Sequence, residues 1–416
     1  MKILLLKILL TFLLIFSVAG NVISGSPSKD ISLFLNGKVT DERKFPVPFV
    51  KVIYGSKEVL TDRFGKFSLT NVTFPYTLTI AEKTSSTAVI YKDLTLSNPE
   101  LIIFGDLKEQ FSNYVQLKVR FPKISEGGSA VIKMISQEVF ECKEAKAGVG
   151  DSTVNLNILW PVSENYLKGE LVFLLRDKQG FQTIKYLKVS VYKNDRNKTA
   201  RINNKKGSSL STSAINVYQP ASKSLKTEFN VSLNFFNYNL NSAIKFSENS
   251  DGAVKTHIWV PDKLSVTNKI LVTGFGRFNN GSGYAGLNFV SPGAELKLYP
   301  ESPPELFTPS DNYLGAAGNT NFSYSLGSGT GIYVIEFKSI NPYLNLYIVT
   351  SERQSTLNYL SRNEFKNYSA QFTWSVKKYL TYFNTDEFVR PKVFKNDFSY
   401  KAVLYSDKRK FKTGFY

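Results

Sequence analysis

Cysteine and histidine are almost missing from this chain, whose 416 residues include one of each, Cys142 and His257. A single cysteine forms no disulfide within the chain, so apolar cores must supply the stability that covalent staples often supply in exported domains. One cysteine and one histidine do not make a tetrahedral zinc site either. A hydrolase triad would have His257 as its sole histidine base, and no serine in a nucleophile-elbow setting stands near it in sequence. Thr256-His257-Ile258-Trp259 alternates like a strand, and His257 reads as a half-buried strand residue. Cys142 reads as a buried small residue, with a reactive thiol as the alternative; Glu138, Glu141 and Glu144 nearby would raise its pKa.

Other features are equally thin. Gly327-Ser328-Gly329-Thr330-Gly331 lies between strand-like segments with no helix to receive a phosphate, so it reads as a hairpin loop. Asp62 and Asp251-Gly252 are lone turn aspartates, which cap backbone more often than they bind calcium. Glycosidase chemistry needs only two carboxylates in a cleft, and nothing marks a pair among the 34 acidic residues. Those acids face 52 Lys and Arg, a formal charge of +18, scattered rather than striped. A basic exported protein meets anionic polysaccharide, lipid headgroups or acidic partners before nucleic acid, and plain solubility is the competing reading.

What is present begins with Met1–Gly20, MKILLLKILLTFLLIFSVAG: a lysine-bearing start, an apolar run from Ile8 to Ala19, and small residues at its end. This pattern predicts a secretory signal peptide over 1–20, with an uncleaved anchor as the alternative. No later stretch is long and apolar enough to cross a bilayer as a helix. Residues 21–29 form a Ser/Gly/Pro linker.

Gly37 to Ile80 reads as short strands joined by tight turns. Phe49, Lys51 and Ile53 alternate with Val50, Val52 and Tyr54, and Thr61-Asp62-Arg63-Phe64-Gly65 has the makings of a turn in which Asp caps backbone and Gly takes a positive φ. Lys66–Leu69 and Tyr76–Ile80 follow as strands. Gly37, Val39 and Asp41, Pro46 or Pro48 with Val50 and Val52, Thr61, Asp62, Gly65 and Phe67, and Tyr76, Leu78 and Ile80 together resemble the carboxypeptidase regulatory-like domain. That family is a transthyretin-like β-sandwich common on secreted bacterial proteins. The resemblance covers roughly residues 31–105; it implies a structural or binding module and supplies no catalytic residue.

Downstream, strand-like segments recur at regular spacing through 113–193, arguing for a second sandwich. Val131–Glu144 is open between one helix and a strand pair. Residues 194–223 are polar and read as a linker, and 224–299 form a third block that echoes the second at an offset of 99, Trp160-Pro161 facing Trp259-Val260-Pro261. From Pro300 a fourth block extends to 385. Its Pro304, Leu306, Pro309, Tyr333, Ile335, Phe337, Trp374 and Val376 resemble the fibronectin type III-like domains of bacterial surface proteins. Tyr324 departs from that pattern, standing where a Trp is often found. Residues 386–416 read as a basic, aromatic C-terminal extension.

The expected fold is therefore all-β, a bead-like row of small tandem sandwiches of immunoglobulin-like or transthyretin-like kind, 31–108, 113–193, 224–299 and 300–385. The expected role is a non-catalytic scaffold or adhesion component of an envelope or cell surface. A carbohydrate-binding protein of a glycan-processing system is the alternative and a hydrolase a more distant one. No cofactor or metal is expected. Aromatics make up 14% of the chain, most of them core; Tyr238 and Tyr284 are the candidates for sugar stacking. Lys408, Arg409, Lys410 and Lys412 are the candidates for contact with an anionic polysaccharide or membrane surface, unless they belong to a frayed, solvated end.

Overall fold

The computed structural model describes residues 33–105, 112–177, 180–195, 198–203, 208–209, 211–218, 225–235, 238, 243–249, 255–261, 268–298, 301–357, 370–391 and 402–414. The leader reading of Met1–Gly20 and the linker after it lie outside them. Among the described residues the chain is all-β, with one short helix.

The first unit holds β1 (Leu33–Asp41), β2 (Lys51–Tyr54), β3 (Lys57–Leu60), β4 (Lys66–Val72), β5 (Tyr76–Glu82), β6 (Thr87–Leu94) and β7 (Glu100–Ile103). They make two layers, β4-β1-β7 and β3-β2-β5-β6, with β1 antiparallel to β4 and parallel to β7. Alternation sets the faces: Phe67, Leu69 and Val72 of β4 are buried while Lys66, Ser68 and Thr70 face solvent. The Thr61–Gly65 turn forms as its residues dictate. Asp62 Oδ1 accepts from the Phe64 and Lys66 amides at 2.8 Å each. Gly65 takes φ +72, and a Cβ there would meet the Val39 carbonyl at 2.4 Å.

The second unit holds β8 (Ser112–Arg120), β9 (Ser129–Ile135), β10 (Glu141–Cys142), β11 (Ala145–Ala147), β12 (Thr153–Pro161), β13 (Tyr166–Asp177), β14 (Gly180–Tyr192), β15 (Lys198–Arg201) and β16 (Ser208–Ser209). The third holds β17 (Thr212–Tyr218), β18 (Leu225–Phe235), β19 (Ile244–Asn249), β20 (Lys255–Pro261), β21 (Asn268–Phe278), β22 (Gly283–Val290) and β23 (Glu295–Lys297). Their layers are β10-β12-β8-β15 with β11-β9-β13-β14-β16, and β20-β17-β23 with β19-β18-β21-β22. With the two-residue β10 and β16 set aside, one topology is repeated in all three units. The first strand lies between an antiparallel and a parallel partner, β12 and β15 in one case and β20 and β23 in the other.

Val131–Glu144 holds two strands, β9 and β10, in opposite layers, as the strand-pair reading had it and not the helix. Two expectations change here. The described residues of 194–223 are not a linker, because β15 extends the second unit and β17 founds the third. The repeat between these units is in register at an offset of 100 rather than 99: Pro161 pairs with Ser112, the first residue of β8, and Pro261 with Thr212, the first of β17. Val260 therefore occupies the place of Trp160, both fully buried, and Trp259 points outward at 56% exposure. A slip of one residue moves a strand side chain to the opposite face.

The fourth unit holds β24 (Leu306–Thr308), β25 (Tyr313–Ala316), β26 (Asn321–Tyr324), β27 (Gly331–Ile340), β28 (Tyr343–Thr350), β29 (Gln354–Thr356), β30 (Gln371–Leu380), α1 (Thr385–Val389), β31 (Ala402–Tyr405) and β32 (Arg409–Thr413). One layer is β24-β26-β29. The other runs β28-β27-β30, with β32 and β31 both on β30 and β25 parallel to β32. The described residues of the expected extension, 386–391 and 402–414, are thus built into the fold rather than appended to it.

The bead-like picture also gives way. β6 pairs in parallel with β28, from Thr87↔Asn345 to Tyr91↔Val349, and β31 pairs with β22, so a 14-stranded sheet joins the first, third and fourth units. The β6–β28–β27 segment is a wall between two cores. Val89, Tyr91, Tyr347, Val349 and Val334 face the first unit's core; Ala88, Ile90, Leu346, Ile348 and Ile335 face the fourth's. Strands buried on both faces lose their alternation and read as continuous apolar runs, as Ala88–Tyr91 and Tyr333–Ile335 do. Tyr347 packs on Phe104 with ring centroids 5.1 Å apart, and the α1 carboxylate Asp386 accepts from the Thr95 and Leu96 amides at 2.8 and 3.2 Å. The second unit joins the third through Val131, Val172, Leu174 and Ile184, which pack into the third unit's core.

Tyr347→Ala should cost about 3–5 kcal/mol, the range for truncating a large buried ring, and lower the urea midpoint of first-unit and fourth-unit probes together. A loss below about 1 kcal/mol would show that the joint carries little.

Candidate functional site

The four basic residues named from sequence separate by the parity of β32. Lys408, Lys410 and Lys412 are exposed, while Phe411 between them is buried against Phe322, Phe337 and Phe372. Arg409 is not a surface contact. Its guanidinium turns inward, Nη1 donating to the Phe307 and Pro309 carbonyls at 3.0 and 3.1 Å and Nη2 to the Leu306 carbonyl. Three carbonyls of β24 and the residue just after it are satisfied by one side chain, which fastens that strand to β32. The end of the chain is therefore no frayed tail through Gly414.

Neither tyrosine named for sugar stacking presents an open ring. Tyr284 is 3% exposed and lies over Gly276, its cross-strand partner, where an added Cβ would come within 2.1 Å of the ring. It belongs to the small core between third and fourth units with Leu225, Leu380, Ala402 and Leu404. Tyr238 is half-buried, edge-on to Phe235, and its hydroxyl donates to Glu170 Oε2 at 2.8 Å. Burial, reinforced by Glu170, pushes its phenol up to about 12. Both are joints between units, a role that aromatic content alone does not reveal.

Residues 325–330 form the loop between β26 and β27, folded over the buried Lys378, and Gly331 opens β27. That ammonium donates to the Leu326 and Ser328 carbonyls at 2.8 and 3.0 Å and to the Gly329 carbonyl, 5.4 Å from the Tyr333 ring centroid. The loop presents carbonyls inward to a cation, the opposite of a phosphate cradle. Burial lowers the Lys378 pKa, and Glu301 opposes that shift. His257 lies on β20 opposite Asn216. Asp251-Gly252 lies outside the described residues. Among the described residues no three His, Cys, Asp or Glu side chains gather as a metal site.

An open groove of 590 Å³ lies where the second and third units meet, lined by Lys133, Cys142, Glu144 and Lys245 among others. Its polar groups are mostly committed to the joint: Lys133 Nζ donates to the Ala243 carbonyl at 2.6 Å and the Lys245 amide to Glu144 Oε2 at 3.0 Å. Arg43 bridges the first and second units in the same manner, ion-paired to Asp41 at 2.8 Å and Glu141 at 3.3 Å. Cys142 is buried at the groove floor, and burial pushes its thiol up to about 11.

No protein-family model matches the sequence, and no curated protein is similar to it. Among solved structures, the Bacillus anthracis TIE protein is 10% identical with a TM-score of 0.18, over 65% of this chain and 50% of that one. This chain thus spans half the length of that protein. A tetra-tandem repeat from the extending region of a large adhesion protein is 10% identical at TM-score 0.18, over 92% of this chain and 99% of that one. An adhesin from Bacteroides ovatus is 10% identical at TM-score 0.17, over 67% and 95%. Scores this low bear on neither the fold nor the partners of this chain.

Two measurements test the site chemistry. Cys142 should resist Ellman's reagent in the native chain through about pH 9 and react at once in guanidinium; fast native labelling contradicts its burial. Because the native thiol's pKa is raised, its contribution to stability is full below the unfolded value of about 8.5 and is lost as pH climbs toward 11. Arg409→Ala should destabilise by about 1.5–3 kcal/mol through lost charge-assisted hydrogen bonds, while Lys412→Ala should stay within about 0.5 kcal/mol. Equal effects in urea unfolding would contradict the inward role of Arg409.

Proposed function

We propose that this chain is an exported, non-catalytic scaffold of a cell surface or envelope. In this reading its first three units are transthyretin-like modules of the carboxypeptidase regulatory-like kind, and its fourth is fibronectin type III-like. The observation that carries the reading is the joining of the units. Modules that share one sheet across β6–β28 and β22–β31 are held as one body, as a scaffold needs, and the groove between the second and third units is crossed by the hydrogen bonds of Lys133 and Glu144.

Two features support the module names. The repeated order, with a parallel partner beside the first strand, accompanies the Thr61–Gly65 turn in the unit where the sequence resemblance lies. In the fourth unit, β24-β26-β29 faces β28-β27-β30-β32, two layers closed over the Trp374 and Phe337 core. The partners proposed are surface or envelope components, with anionic polysaccharide or lipid ahead of nucleic acid because the chain is basic.

Export is the step to test first. The chain, expressed with its native N-terminus in a bacterial host, should be recovered outside the cytoplasm with residues 1–20 removed, as read by intact mass and fractionation. Unprocessed chain confined to the cytoplasm would overturn the reading.

A further inference from the structure

β28, β27, β30, β32 and β25 lie side by side, and one face of this sheet is turned away from the fourth unit's core. Phe337, Leu344, Phe372 and Phe411 point inward, so their neighbours along each strand point out. Register then gathers the outward residues into two rows. Lys338 lies across from Thr373, and Thr373 across from Lys410; Gln371 lies across from Lys412, and Lys412 across from Leu314. Ile340 stands two residues beyond Lys338 on the same face and pairs with Tyr343 across the hairpin turn. The five strands span roughly 20 Å at the usual strand spacing.

This face combines two features that a plain solvated sheet lacks. Ile340 is 90% exposed, Leu314 72% and Tyr343 56%, and they stand toward the two flanks of one end of the sheet. The charged groups among them are cationic: Lys338, Lys410 and Lys412. The described carboxylates nearby are Glu336, buried and ion-paired to Lys338 at 2.5 Å, and Asp311, which accepts the Lys410 amide at 2.7 Å. The first unit covers the other end of the face, where Asn345 and Tyr347 are buried.

We propose that this end of the sheet docks on an anionic lipid bilayer, with Ile340, Leu314 and Tyr343 entering the headgroup–acyl boundary and Lys410 and Lys412 on headgroup phosphates. Charge complementarity selects an anionic surface, and the aliphatic tips select lipid over polysaccharide. Isoleucine and leucine gain little from a hydrated sugar chain, whereas burial in hydrocarbon stabilises each of them. Each lysine near an anionic leaflet is worth about fivefold in affinity at low salt. The inference is independent of the scaffold reading, since it concerns one face and not the role of the whole chain.

The test is flotation of the mature chain with vesicles of equal parts phosphatidylglycerol and phosphatidylcholine, with phosphatidylcholine alone, and with soluble polygalacturonate as a third arm. Binding should require phosphatidylglycerol. Lys410→Gln with Lys412→Gln should weaken it about twenty-five-fold and flatten its salt dependence. Leu314→Ser with Ile340→Ser should weaken it about tenfold or more with the salt slope unchanged. All four positions are exposed, and amide protection of 331–340, in the fourth unit's core, checks that each variant is folded. No binding to anionic vesicles overturns the proposal, as does a Leu314/Ile340 variant that binds like the parent. Polygalacturonate bound as tightly as the vesicles, with no dependence on Ile340, would assign the face to a polyanion instead.

Discussion

The parallel pairing of β6 with β28 is the interaction on which the rest of the arrangement depends. It connects residues some 258 positions apart, the separation of Thr87 and Asn345. Closing so long a loop carries a large entropic cost, and a short ladder of hydrogen bonds offsets little of it. The compensation lies on the two faces of the pair. Odd residues of β6 seal the first unit's core and even residues the fourth's, so the joint buries apolar surface twice with a single layer of chain. Remove the pairing and two cores open, not one. Phe104 against Tyr347 and the Asp386 carboxylate on the Thr95 and Leu96 amides then fix the angle at which the two units meet.

The joints share a chemistry. Lysine, arginine and tyrosine placed between units bind main-chain carbonyls or carboxylates across the boundary: Lys133 on Ala243, Arg43 on Glu141 and Tyr238 on Glu170; Arg409 does the same between the two layers of the fourth unit. Buried or half-buried donors of this kind add less to stability than to geometry, because a mispaired arrangement would strand them without acceptors. The basic excess of the composition is accordingly of two kinds. Part of it is structural and faces inward; the remainder, such as Lys410 and Lys412, stands on solvent faces.

How much of this was legible in the sequence depended on range. Alternation over a few residues identified the strands, and the Thr61–Gly65 turn was readable because Asp and Gly act on their own backbone. The all-β class and tandem sandwiches follow from such local signals. What joins the units is non-local. Ala88–Tyr91 and Tyr333–Ile335 carry the one available signal, unbroken apolar runs that mark burial on both faces, yet nothing in them names the partner strand. Composition misled where function was sought. Tyr284 and Arg409 resemble ligand-binding residues until the register of β22 and the parity of β32 turn them inward. Trp160 and Trp259 aligned by type, while their strands align one residue later.

The most direct measurement is amide hydrogen exchange on the intact chain, followed by mass spectrometry of peptides covering 87–94, 331–340 and 343–350. If β6 and β28 are central strands of one sheet, all three segments exchange at the same slow rate and lose protection at the same denaturant concentration. If instead 87–94 exchanges like an open sheet edge while 331–340 stays protected, the first and fourth units are separate bodies, and the account of a shared wall is wrong.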